Sequence, residues 1–65
     1  MNWDQAIGNW EQVKGHLKSK WGKLTDDDLK VVEGKKDVLV GKLRERYALE
    51  KDRAEADIDK WLGTL

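Results

Sequence analysis

The stretch "GNWEQVKGHLKSKW" at residues 8–21 is written a second time, in altered residues, as "GKKDVLVGKLRERY" at residues 34–47. A shift of 26 positions pairs Gly8 with Gly34, Val13 with Leu39, Gly15 with Gly41, Leu17 with Leu43 and Trp21 with Tyr47. Between the glycines, apolar residues recur at intervals of three and four, which is the period of one helical face and not of a strand. The match decays beyond the aromatic, where Leu24 meets Glu50 and Leu29 meets Glu55. Two copies are too few for a solenoid, which needs about three or more units to bury its faces. The expectation is therefore a pseudo-symmetric pair of helix–turn–helix units packed as a single domain over residues 1–65; the alternative is that two basic amphipathic helices resemble each other by composition alone.

Working outward, Trp3, Ile7, Trp10, Val13, Leu17, Trp21 and Leu24 continue the same spacing and predict one amphipathic helix with Asn2 as its N-cap. "TDDDL" at residues 25–29 reads as a restart. Thr25 can cap, and Asp26, Asp27 and Asp28 put negative charge on a first turn, where the helix dipole favours it. That short helix is expected to reach Val31 or Val32 and to stop near Gly34. Leu39, Leu43 and Tyr47 mark a third face; Ala54, Ile58, Trp61 and Leu65 mark a fourth. The break between them falls near residues 48–50. No proline interrupts any of this, so the fold class is all-α, a small bundle of about four helices.

Composition limits what such a bundle can do. Charged residues make up 40% of the chain and apolar ones 38%, against roughly 25% and 45–50% in ordinary globular domains. Thirteen basic residues balance thirteen acidic ones, so no global field draws the chain to nucleic acid or to an anionic membrane. Without cysteine there is neither a disulfide nor a thiolate metal site to substitute for a core. No apolar run is long enough to span a bilayer or to serve as a signal-peptide core, and a soluble, cytoplasmic protein is expected.

The glycines add a constraint of their own. At about 100° per residue, Gly8, Gly15 and Gly22 lie on one line, away from the face of Trp3, Trp10, Leu17 and Trp21. Each interior glycine costs about 1 kcal/mol relative to alanine. They admit a neighbouring backbone, let the long first helix bend, or keep the fold weak.

The candidate chemistries are thin. His16 is the lone histidine, with no cysteine or serine spaced to use it as a base, and a structural role is expected for it. The three contiguous aspartates splay around a helix start instead of converging on an ion, and no D-x-D-x-D-G loop accompanies them. The glycines lie seven apart within helices, unlike a phosphate-cradling loop. No enzyme activity, cofactor, metal or small-molecule substrate is therefore expected. Basic residues do cluster, and Lys14, Lys18, Lys20, Lys42, Arg44 and Arg46 form the candidate surface for phosphate backbones. Against that reading, Glu11, Asp37 and Glu45 are interleaved among them, as in ordinary solvated ion pairs. The four tryptophans all fall on apolar stripes and read as core anchors.

"GNWEQVKGHLKSKWGKLTDDDL" at residues 8–29, "EGKKDVLVGKLRERY" at 33–47 and "KDRAEADIDKW" at 51–61 together resemble the CsbD-like family of small bacterial stress proteins over nearly the whole chain. Ala48 departs from the glycine usual after the Arg-Tyr pair, and His16 and Leu17 replace charged or small residues. The resemblance implies a helical bundle likened to SAM-domain or helix-hairpin-helix folds, general-stress control, and no reaction. Some members are grouped with hydrophilins. The expected function is non-enzymatic, protecting or binding other macromolecules; the alternatives are a weak sequence-independent nucleic-acid binder and a SAM-like self-association or protein-interaction module.

Overall fold

A computed structural model describes residues 2–65. Among them are five helices and no strand: α1 (Trp3–Ile7), α2 (Trp10–Lys20), α3 (Asp26–Val32), α4 (Lys36–Tyr47) and α5 (Lys51–Leu62). Asn2 caps α1 as its side chain predicts: Oδ1 accepts from the Gln5 backbone N–H at 2.8 Å, and the Asn2 N–H donates to Gln5 Oε1 at 3.1 Å. Thr25 does the same for α3 with Asp28 as the reciprocal partner, both contacts at 3.1 Å.

The single helix expected from Trp3 to Leu24 is broken twice. At 1.5 Å per residue it would run about 33 Å, longer than the 27 Å greatest extent of the molecule. The first break falls at Gly8 and Asn9, where Asn9 takes φ −128° and ψ 59° and bonds its own side chain to Gln12. Glycine weakens the helix there, and asparagine offers its backbone a local alternative. The break folds α1 back across the molecule, so that the Trp3 indole N–H donates to the Gly34 carbonyl at 2.9 Å. Gly34 itself stands at φ 82°, a left-handed conformation that a side chain would resist, and Ile7 covers it. The second break follows Lys20, where Trp21 at φ −120° and ψ 84° leads the chain round to Thr25.

The core forms where the helical periods place it. Leu17, Leu29, Val32, Leu39, Leu43, Ala54 and Ile58 are wholly buried, and Val13, Trp21, Leu24 and Trp61 nearly so. The Trp21 and Trp61 ring centroids lie 5.7 Å apart with a 60° tilt, within the separation at which aromatic pairs attract. Trp3 and Trp10 are only half-buried, flanking the core instead of anchoring it. Leu65 is 40% exposed, not on the α5 core face. α5 ends at Leu62, and the turn through Gly63 and Thr64 takes the helical period with it, leaving Leu62 as the last inward side chain.

The shift of 26 carries α2 onto α4. Val13 and Leu39 are both buried, as are Leu17 and Leu43, and farther along Val32 and Ile58. Gly15 and Gly41 both lie on exposed faces with no atom within 4 Å of where a Cβ would stand. The correspondence fails at the aromatics themselves. Trp21 is inside the core, whereas Tyr47 is half-buried at its edge and its hydroxyl accepts from the Lys23 backbone N–H at 3.1 Å.

Candidate functional site

The basic residues that sequence reasoning singled out do not form one open surface. Lys14 pairs with Glu11 at 3.1 Å on its own helix. Lys18 reaches across from α2 to Asp26 at 2.7 Å. On α4, Lys42 stands 3.7 Å from Asp28 and 3.6 Å from Glu45, and Arg46 grips Asp28 with Nε at 3.0 Å and Nη2 at 2.9 Å. Arg44 is exposed and takes part in no ion pair among the described residues. Lys20 lies over the ring of Trp21, 5.9 Å from its centroid.

The organising element is the acidic first turn of α3. Asp26 faces α2 and Asp28 faces α4, so two of three consecutive aspartates tie together basic residues from two other helices. Asp28 is 4% exposed, and its oxygens accept from the Arg46 guanidinium and the Thr25 backbone N–H. Those bonds, Arg46 first and Thr25 next, hold its carboxyl well below the usual carboxylate range, and the same contact raises Arg46. The Lys18 contact lowers Asp26 likewise. A bidentate, charge-assisted pair of this kind fixes orientation as well as charge. The expectation that these aspartates splay apart holds for Asp26 and Asp28. That one of them would be buried was not legible, because three identical residues in a row carry no mark of which faces in.

Sequence reasoning also missed a convergence of charge elsewhere. Lys20, on the last turn of α2, shares a hollow of about 380 Å³ with Arg53 and Lys60 of α5. Thirty-three and forty residues separate these from Lys20, and no spacing rule connects them. His16, expected to be an exposed or half-buried structural residue, is exposed on α2 and lines a larger neighbouring groove with Gln12 and Ser19. Among the described residues no group of histidine, cysteine or acidic side chains is placed to hold a metal ion, and no helix is long and apolar enough to cross a membrane.

The chain that carries this arrangement belongs to the CsbD-like family, whose sequence model matches residues 4–56. The particular relatives are bacterial. UPF0337 protein YjbJ of Escherichia coli is 59% identical over 61 residues, 94% of this chain and 88% of that protein. UPF0337 protein ECA0631 of Pectobacterium atrosepticum is 61% identical over the same shares. UPF0337 protein RPA4217 of Rhodopseudomonas palustris is 57% identical over 65 residues, all of this chain and 98% of its own. The similarity thus runs through every helix described above, and none of these names states an activity.

Proposed function

We propose that this protein works without catalysis, as a cytoplasmic stress-associated protein that shields or engages other macromolecules. In this reading α2–α3 and α4–α5 are the two halves of a pseudo-duplicated, SAM-like or helix-hairpin-helix-like unit. The observation that carries the proposal is how the charges are used. The most strongly perturbed ionisable group, Asp28, is occupied by Thr25, Arg46 and Lys42, so its perturbation serves α3–α4 docking and not proton transfer. What faces outward is a shell of both signs on a chain of zero net charge, which approaches many surfaces without strong attraction to any one.

The test pairs two measurements. A drying-sensitive enzyme dehydrated with this protein should keep more activity than with an equal mass of an unrelated globular protein of similar size. Duplex DNA should bind more weakly than about 10⁻⁵ M at physiological salt, the range of non-specific association. Micromolar binding that falls steeply with added salt, together with no protection, would replace this reading by that of a sequence-independent nucleic-acid binder.

A further inference from the structure

Two hollows open side by side where the end of α2 meets the end of α5, and they share Lys20, Trp61 and Thr64. The larger, of about 690 Å³, is lined along α2 by Gln12, His16 and Ser19. Of its eleven lining residues only Lys20 has a side chain of the Lys, Arg, Asp or Glu type, in a chain that is 40% charged. The smaller, of about 380 Å³, gathers Lys20, Arg53 and Lys60 against the single carboxylate of Asp57. Three cations and one anion leave a local charge of +2 in a chain whose total is zero.

Asp57 accepts from Arg53 at 3.2 Å. Lys20 and Lys60 belong to no ion pair among the described residues. A lysine in the last turn of a helix complements the dipole of that helix, which accounts for one on each of α2 and α5. It does not account for both opening on one hollow whose single carboxylate, Asp57, is taken up by Arg53, when Lys14 and Lys18 on α2 each have a carboxylate partner of their own. A phosphate monoester carries about −1.5 to −2 at neutral pH, opposite in sign to the side-chain excess. Beside it, amide, imidazole and hydroxyl groups both donate and accept hydrogen bonds, as sugar hydroxyls do. Gln12 and Ser19 stand seven residues apart, about 10 Å along the helix, and each hollow lies within the roughly 300–1,000 Å³ of small-ligand sites.

We propose that this continuous trough binds a small phosphorylated ligand with a neutral, hydroxyl-rich body, the phosphate held by Lys20 and Lys60 and the body laid along Gln12, His16 and Ser19. The proposal is independent of the protective role. Amide chemical shifts of the ¹⁵N-labelled protein, followed at constant ionic strength while glucose 6-phosphate, ribose 5-phosphate, inorganic phosphate or glucose is added, test it. At least one sugar phosphate should saturate, moving Lys20, Lys60, Gln12 and Ser19 together. Inorganic phosphate should bind at least tenfold more weakly and move only the lysine end, and glucose should not saturate. The double substitution Lys20→Gln, Lys60→Gln should weaken the sugar phosphate at least tenfold with the rest of the spectrum unchanged, whereas Lys30→Gln, Lys35→Gln should not. Failure of both sugar phosphates to saturate, equal affinity for inorganic phosphate, the same shifts with sodium chloride alone, or unchanged binding by the first double variant would each overturn it.

Discussion

Ala48 ends α4 at φ 54° and ψ 37°, where its Cβ crowds the following carbonyl at a cost of roughly 1–2 kcal/mol. Glycine pays no such steric penalty, though it gains freedom in the unfolded chain. Ala48→Gly is therefore expected to raise stability by about 1 kcal/mol, read as a higher urea midpoint at an unchanged slope. The opposite exchange applies to Gly15 and Gly41, which sit in regular helix with open space where a Cβ would go. Gly15→Ala and Gly41→Ala should each stabilise the chain by roughly 0.4–1 kcal/mol without altering its sedimentation. A loss of stability at either would mean that its backbone angles are ones alanine resists. The place of the α4–α5 turn was legible at residues 48–50, but its left-handed residue was not, since alanine carries no turn signal of its own.

At the scale of the element, the helices split into those whose ends are written in the sequence and those whose ends are not. Asn2 and Thr25 announce their caps, and Thr25→Ala should cost about 1 kcal/mol by thermal melting. The glycines marked the long first helix as able to bend, but the place of the break, at Gly8 and Asn9, was hidden because the apolar period runs through it without a fault: α1 and α2 bury their faces toward the same core from either side of a bend. The duplicated pattern misled in one respect. It predicted equal weight for Trp21 and Tyr47, but repetition reports spacing, not depth. Trp21 packs on Trp61 inside the core, so Trp21→Ala should cost about 3–5 kcal/mol, comparable to the whole stability expected of a domain this small. Tyr47→Ala removes a half-buried ring and the acceptor of one exposed hydrogen bond, and should cost clearly less. Equal losses in denaturant titrations would restore the symmetric picture.

For the molecule as a whole, a chain that is 40% charged folds around a small core by assigning many of its charges to one another. The all-α class, the core stripes and the position of the basic residues were legible. Their pairing was not, because Lys18 meets Asp26 and Arg46 meets Asp28 only after three helices are docked. Exposed pairs such as Lys36 with Asp59 at 2.8 Å are expected to contribute little individually. Asp28 is the electrostatic joint between α3 and α4. Its carboxyl stays ionised in the folded chain at pH values where an unfolded aspartate, with a pKa of about 3.9, takes up its proton. Its contribution is therefore complete above about pH 4 and fades as the pH falls further, toward its lowered folded value. Unfolding free energy measured from pH 7 to pH 2 for the wild type and Asp28→Asn tests this most directly. The variant should be less stable at pH 7, with the difference between the two curves shrinking below about pH 4; a gap of constant size across that range, or no gap at pH 7, would contradict a joint at Asp28.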